Sequence, residues 1–129
     1  MRDKRQHNQH NLTVSAQLQL AALEAAANGI VITDRRGYII WVNPAFTELT
    51  GYTREEALGE NPRILKSGKM PAGSYKSLWQ TINKGEDWKG IFHNKKKNGD
   101  LFWESATISP IKDNNGRIIN FVAVKEDIT

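Results

Sequence analysis

Alternating apolar and polar positions predict three consecutive β-strands in the last third of the chain. The strand segments read WKGIFHN, LFWESATIS and IINFVAV, and the turn sequences KNG and DNNG separate them. Turns of this composition are typical of antiparallel hairpins. In the first hairpin, a loop of Lys97, Asn98 and Gly99, with Gly99 in a left-handed conformation, places Asn94 opposite Phe102.

The second turn predicts a pair of opposite charges on one face of the sheet. Whether its loop is counted as residues 114–115 or as residues 113–116, Glu104 falls directly opposite Lys125 on the neighbouring strand. Side chains two residues apart along a strand share a face. The neighbours on this face are Phe102, Ala106, Ile108, Phe121 and Ala123, with Trp88, Gly90, Phe92 and Asn94 on the adjoining strand. A few polar groups among large apolar side chains are typical of a binding pocket.

The chain before this sheet divides into a tail, a helix and the start of a folded domain. Residues 1–11 are polar and charged, so a disordered tail is expected there. Residues 12–28 carry apolar side chains on two faces of a helix, which predicts an N-terminal amphipathic helix. One face would lack a partner within the domain, which favours a homodimer contact; a frayed cap helix is the alternative. Residues 29–129 make up the domain.

The middle of the chain predicts an antiparallel α+β fold. GIVITD and YIIWVN indicate a hairpin of two further strands. Asn43 followed by Pro44 is a helix-start signal, and Thr53 with Glu56 forms a capping box, so short helices are expected to follow. Apolar side chains at helical spacing over residues 75–82 indicate another helix. Because this order contains no repeated βαβ units, an antiparallel sheet with helices on one face is expected.

Composition and charge exclude several classes of function. A chain of 129 residues with 39% hydrophobic content fits one domain. It contains no cysteine, so disulfides and thiolate chemistry are excluded. The net charge of +4 is scattered apart from residues 95–97, so no nucleic-acid partner is expected. No apolar run is long enough for a membrane span and no signal segment is present, which predicts a cytoplasmic domain without membrane contact.

The segment AANGIVITDRRGYIIWVNPAFTELTGYTREEALGENPRIL, followed by the three strands and the terminal EDIT, resembles a PAS domain over about residues 20–129. The resemblance implies a five-stranded antiparallel sheet of order 2-1-5-4-3, with helices that enclose a ligand cavity against one face. It also implies a bacterial-type sensory module that passes the state of a small ligand to a covalently linked effector domain. A histidine kinase of a two-component system, a cyclic-dinucleotide enzyme and a transcriptional regulator all stay open as effectors.

The local sequence is most similar to the flavin-associated PAS domains, which include FAD redox sensors and light-oxygen-voltage photosensors. The photosensor motif GxNCRFLQ is matched by GENPRILK: Asn61 and Arg63 agree, but a proline replaces the reactive cysteine, so no cysteinyl adduct can form. Asn94 matches a flavin-contacting asparagine, whereas Glu104 and Lys125 replace an asparagine and a glutamine. The resemblance implies FAD as the cofactor, with Asn61, Arg63, Trp88, Phe92, Asn94, Phe102, Glu104 and Lys125 as cofactor-binding residues.

Several of these residues keep a second interpretation. Three interpretations of Glu104 and Lys125 stay open. They form an ion pair that fixes the strand register beside an empty or water-filled core, or they bind the edge of a flat heterocycle together with Asn94, or they bind a small carboxylate. Arg63 and Lys66 either hold the phosphates of a dinucleotide or are solvated loop charges. Trp79 is interpreted as a core residue because its helical spacing is explained by packing.

Haem, metal and enzymatic chemistry are not expected. The histidines at positions 7, 10 and 93 are dispersed, and none lies in the segment where PAS haem ligands occur. No nucleophile, base and orienting group form a catalytic constellation, and no phosphate-binding glycine loop is present. The alternative to a ligand-binding sensor is a cofactor-free interaction module that dimerises through the N-terminal helix and the outer sheet face.

Overall fold

The computed structural model describes residues 4–129 of the chain, and side chains from residue 14 onward. In chain order its elements are α1 (Lys4–Ala25), β1 (Gly29–Asp34), β2 (Ile39–Val42), α2 (Pro44–Thr50), α3 (Arg54–Ala57), a 3₁₀ helix (Pro62–Leu65), α4 (Ser74–Asn83), β3 (Trp88–Lys95), β4 (Leu101–Lys112) and β5 (Ile118–Asp127). Within this range, none of the helices combines the length and the apolar character that crossing a membrane requires.

Helix α1 begins earlier than the sequence predicts. The expected helix covers residues 12–28, after a disordered tail over residues 1–11, but the observed helix runs from Lys4 to Ala25. The helix therefore includes residues that the sequence assigns to the tail, and residues 1–3 lie outside the described part of the chain; the disordered tail stays a prediction. The segment contains neither glycine nor proline, so nothing in it interrupts a helix that continues from the Ala-rich part. Among its described side chains, Val14, Leu18 and Leu20 are exposed.

The short helices start where the capping signals predict. Helix α2 follows Asn43, whose side chain accepts a hydrogen bond from the Phe46 N–H, and Gly51 ends it in a left-handed conformation. Helix α3 follows Thr53, and the reciprocal bonds between Thr53 and Glu56 complete the expected capping box. These short helices are therefore fixed by local signals as well as by packing.

The five strands form one antiparallel sheet in the order β2-β1-β5-β4-β3. This order places β5, the last strand, in the centre of the sheet between β1 and β4. The α+β fold and the strand order that the PAS resemblance implies are both confirmed.

The hairpin between β3 and β4 has the predicted register. Asn94 pairs with Phe102, and the Lys96 N–H donates to the Asp100 carbonyl 2.8 Å away, so the loop contains residues 97–99. Gly99 adopts a φ of 95°, the left-handed conformation that a bulged loop of this length requires.

The hairpin between β4 and β5 differs from its predicted register by two residues. Lys125 pairs with Ala106, not with Glu104, and Glu104 pairs with Asp127. Two local irregularities explain the shift. The Asp113 N–H bonds to the Arg117 carbonyl, which makes a three-residue loop, and a bulge between Ile111 and Lys112 adds a further residue. Because the total shift is even, both charged side chains still point to the predicted face.

The core lies between one face of the sheet and the helices packed against it. One buried cluster forms around Phe46 of α2 and Leu65 of the 3₁₀ helix, against strands β1, β2 and β5. A second cluster forms around Leu78 and Ile82 of α4, against strands β3, β4 and β5. The helices and the 3₁₀ segment therefore cover the inner face of the sheet in two separate clusters.

The segment of residues 66–70, here called the edge strap, lies along the outer edge of β3. Lys66 forms an isolated antiparallel bridge with Asn94, and the Ser67 hydroxyl donates to the His93 carbonyl. The His93 N–H donates to the Met70 sulfur at 3.2 Å. The edge strap therefore fixes the backbone of β3 next to Asn94.

Candidate functional site

A cavity of about 220 Å³ lies between the inner face of the sheet, helix α4 and the 3₁₀ helix. Its lining consists of Val31, Thr33, Gly37, Asn61, Pro62, Arg63, Lys66, Tyr75, Leu78, Trp79, Ile82, Phe92, Asn94, Ile108, Phe121, Ala123 and Lys125. Most of these side chains are apolar or aromatic, and a few carry hydrogen-bonding groups, as is typical of small-molecule sites.

A buried polar cluster of Asn94, Glu104 and Lys125 lies at one side of the cavity. The Asn94 Nδ2 and the Lys125 Nζ both donate to the Glu104 Oε1, at 2.9 Å and 2.7 Å. Glu104 is fully buried, with 0% exposure, and Lys125 is 5% exposed. The short distance and the good pairing explain how an ion pair is tolerated on a core face.

Glu104 keeps unused hydrogen-bonding capacity. Its second oxygen, Oε2, is buried and has no hydrogen-bond partner among the residues that the structure describes. A carboxylate oxygen without a partner is costly in a protein interior, so a group that donates a hydrogen bond to it would be stabilising. The Lys125 ammonium has three donors, and one of them is used by Glu104.

Every charged side chain that lines the cavity is a cation. Arg63 and Lys66 lie on the side of the 3₁₀ helix, and Lys125 lies on the sheet, whereas no carboxylate appears in the lining formed by the described residues. Lys125 belongs to the lining and its ion-pair partner Glu104 does not, so the positive member of the pair borders the cavity. This arrangement favours a ligand with acceptor groups or negative charge.

Aromatic rings form the walls. Tyr75 of α4 stacks on Phe92 of β3, with ring centroids 6.1 Å apart and an interplanar angle of 17°. The Lys66 Nζ lies 3.8 Å from the centre of the Tyr75 ring, a cation–π contact between two lining residues. The Tyr75 hydroxyl is buried without a partner among the described residues. Burial, and the negative charge of Glu104, raise the pKa of this hydroxyl.

Trp79 lines the cavity on the side of the β1–β2 hairpin. Its ring meets Phe121 edge-to-face, with centroids 6.1 Å apart and an interplanar angle of 87°. Gly37 in the turn between β1 and β2 has a φ of 93°, and a Cβ at this position would lie 2.7 Å from the Trp79 Cη2. Trp79 can therefore hold this position in the cavity wall only because residue 37 has no side chain.

The structure brings five of the eight sequence-predicted site residues into the cavity lining: Asn61, Arg63, Phe92, Asn94 and Lys125. Glu104 does not belong to the lining, but it bonds to two members of it. Trp88 and Phe102 do not line the cavity. Trp88 instead lies over Gly90, where an added Cβ would be 2.5 Å from the indole ring, and 5.0 Å from Phe92 between centroids.

Sequence reasoning missed part of the lining. Trp79, interpreted as a core residue, both packs in the core and lines the cavity, and Tyr75 does the same. Thr33 and Phe121 also line the cavity. The signal for Tyr75 was its hydroxyl group, since a polar tip on the buried stripe of a helix needs a partner.

Three comparisons place the chain among known proteins. The nitrogen fixation regulatory protein of Klebsiella oxytoca is 35% identical over 107 residues, which cover 83% of this chain and 22% of that protein. The blue-light photoreceptor of Listeria innocua serovar 6a is 34% identical over 113 residues, which cover 85% of this chain and 44% of that protein. A solved structure on the mechanism of a light-oxygen-voltage domain with a flavin analogue has a TM-score of 0.78 and 27% identity, and covers 86% of this chain and 84% of that chain.

These relatives are longer than the matched part. The chain spans about a fifth of the length of the Klebsiella protein, since the matched residues make up 22% of that protein. Residues 27–129 match the family model described as PAS domain. With this match over most of its length, the chain belongs to the PAS domain family.

Proposed function

We propose that this chain is a sensory PAS module that binds a flavin in its cavity and relays the redox state or occupancy of the flavin to an attached effector domain. The observation that carries the proposal is the polar cluster of Asn94, Glu104 and Lys125 beside aromatic walls. The edge of a flavin ring carries both hydrogen-bond acceptors and an N–H donor. Free donors on Lys125 and the amide of Asn94, both of which line the cavity, complement such an edge.

The size of the cavity favours a ring with its phosphates outside. A volume of about 220 Å³ is below the ~300 Å³ at which most ligand pockets begin, so a whole dinucleotide would not be enclosed. Arg63 and Lys66 line the cavity beside the 3₁₀ helix and are exposed, so they can reach phosphates that remain in water. This arrangement favours FAD or another phosphorylated flavin over the free ring.

A bound flavin would supply reversible electron transfer, and the protein would supply orientation and charge. Lys125 and Asn94 would hold the ring edge, while Phe92 and Tyr75 would cover its apolar surface. The chain has no cysteine, and Pro62 stands where a photosensor carries its nucleophile, so sensing does not use a cysteinyl adduct. We propose no catalytic turnover for the domain itself.

Relay to an effector follows from the position of β5 in the sheet. Lys125 lies two residues before Asp127, where β5 ends, and the Ile128 N–H then bonds to the Trp103 carbonyl at 3.0 Å. A ligand that moves Lys125 would therefore move the end of β5. An effector domain after this strand and a two-component partner belong to the proposal, and a cytoplasmic location stays a prediction.

An absorbance scan and a ligand-release assay test the flavin. Protein purified without added cofactor is scanned, denatured, and the released small molecules are identified by mass spectrometry; ligand-free protein is then titrated with FAD, FMN and riboflavin. We expect flavin absorbance in the blue, and weaker binding of riboflavin than of FAD. Asn94→Ala should weaken binding at least tenfold, whereas the outward-facing Lys89→Gln should not change it. Absence of flavin bands and of binding would reject the proposal.

A second candidate function is a dimerising interaction module without a cofactor. The observation that favours it is the apolar surface left exposed on α1 and on the outer sheet face, where Leu18 is 66%, Leu20 is 51%, Ile91 is 54% and Trp103 is 47% exposed. Sedimentation velocity over a concentration series tests it. A dimer that Leu18→Glu or Ile91→Glu dissociates supports this function, and a monomer at all concentrations excludes it.

A further inference from the structure

We propose that Lys125 makes the cavity selective for the reduced, negatively charged form of its flavin over the neutral oxidised form. This inference rests on the proposed function and goes beyond it, because it assigns one residue the control of which redox state the domain holds. A lysine at this position would then set the potential at which the sensor responds.

The charge geometry around Lys125 carries the proposal. Lys125 lines the cavity, whereas its carboxylate partner Glu104, 2.7 Å from the ammonium, does not. The cation is therefore the member of the pair that borders the ligand. Because Lys125 is 5% and Glu104 is 0% exposed, water screens the charge of the ammonium little. A charge on the ligand therefore interacts strongly with the ammonium.

The reduction step changes the charge of the ligand in the direction that Lys125 favours. An oxidised flavin is neutral at its ring. When the ring accepts two electrons from an external reductant and one proton from water, it gains one net negative charge. A nearby cation stabilises that product more than the oxidised ring, so the bound flavin becomes easier to reduce than the free one. Arg63 and Lys66 lie on the side of the 3₁₀ helix and act on the phosphates, which carry their charge in both redox states.

A reductive titration of the flavin-loaded protein tests the inference. Dithionite is added under anaerobic conditions with a reference dye, and the potential of the bound flavin is read from absorbance. We expect the wild-type protein to bind the reduced form at least tenfold more tightly than the oxidised form, which places its potential about 30 mV or more above that of free FAD for a two-electron couple. Lys125→Gln, which keeps a donor but removes the charge, should lose at least tenfold of this preference.

Two controls separate the charge of Lys125 from other effects. Lys66→Gln removes an equal charge elsewhere in the lining, and should weaken FAD binding in both redox states while leaving the ratio of the two affinities within about threefold of wild type. Lys125→Arg keeps the charge and should keep the potential above that of free FAD.

The outcomes distinguish the two proposals. A wild-type protein that binds no flavin overturns the proposed function. A wild-type protein that binds flavin with an unshifted or lowered potential overturns the inference alone. This outcome is measured on the wild-type protein, so it does not depend on the folding of any variant. The inference would also be overturned if a folded, flavin-loaded Lys125→Gln protein kept the wild-type ratio of affinities for reduced and oxidised flavin.

Discussion

The Glu104 carboxylate accepts a hydrogen bond from the Lys125 ammonium at 2.7 Å, although the two residues are not paired across the sheet. Their backbone partners are Asp127 and Ala106, so the lysine reaches diagonally to the acid, which lies two residues along β4 from Ala106. A diagonal contact of this kind suits a long side chain better than a short one. The ion pair therefore depends on the length of Lys125 as well as on its charge.

Breaking this pair should destabilise the ligand-free protein more than removing both partners. Lys125→Met leaves Glu104 buried without its counter-charge, and we expect a loss of about 3 kcal/mol or more in the free energy of unfolding. In the double variant with Glu104→Leu, no buried charge remains, so at least half of the loss should be recovered. Urea unfolding of the two single variants and the double variant measures the coupling. Additive losses would contradict the prediction.

Asn43 should be the most costly polar side chain to truncate near the N-terminal helix. It is 1% exposed, and its Oδ1 accepts from the Ile30 and Phe46 N–H groups while its Nδ2 donates to the Leu23 and Asn28 carbonyls. Asn43→Ala leaves several of these buried groups unpaired, so we expect a loss of about 3 kcal/mol in unfolding free energy.

Asn61 provides the matched control for that substitution. It also caps a helix, but its side chain is half-buried and accepts a single bond, from the Arg63 N–H at 3.0 Å. Asn61→Ala should cost about 1 kcal/mol or less in the ligand-free protein. Equal losses for the two variants would show that the bonds of Asn43 to β1 and to the end of α1 add little.

Gly37→Ala should disturb the cavity through Trp79. The added methyl group would lie 2.7 Å from the Trp79 ring, at a residue whose φ of 93° already disfavours a side chain. We expect both a loss of about 1 kcal/mol or more in stability and at least fivefold weaker ligand binding. Gly116→Ala is the control, since its φ is 79° and nothing lies within 4 Å of the added methyl. It should lose stability and leave binding unchanged; weakened binding in both variants would contradict a specific role for Trp79.

The stability of the protein should fall at high pH partly because of Tyr75. Its pKa is raised above the ordinary value of 10.0, by burial and by the charge of Glu104. The folded state therefore keeps the phenol proton at a pH where the unfolded state has lost it. This contribution is fully present below about pH 10 and disappears as the pH rises through the folded-state pKa. Unfolding free energies at several pH values should decline less steeply above about pH 10 in Tyr75→Phe than in wild type; parallel curves would exclude the effect.

The two hairpins show what turn chemistry can and cannot predict. In KNG, the only glycine fixes the left-handed position, so the register of Asn94 against Phe102 follows from the sequence. DNNG permits several loops, and the bulge between Ile111 and Lys112 has no signature of its own in the sequence. Bulges depend on the packing of the whole sheet, which is why this register could not be predicted from the turn alone.

The sequence predicts lining residues where the face of the sheet on which a side chain lies decides whether it meets the cavity. Period two places Phe92, Asn94 and Lys125 on the inner face, and each of them lines the cavity. Face alone does not decide which inward residues meet the cavity and which are covered by a neighbour. Trp88 lies on the same face and instead covers Gly90, a contact that depends on the ring's orientation.

The edge strap has a consequence for the behaviour of the protein at high concentration. An open strand at the border of a sheet offers unpaired N–H and C=O groups to other molecules and can start aggregation. Ser67 and Met70 bond to the backbone carbonyl and N–H of His93, so these two groups of β3 are already engaged. Substitutions that loosen residues 66–70 should therefore promote intermolecular strand pairing as well as altering the cavity beside them.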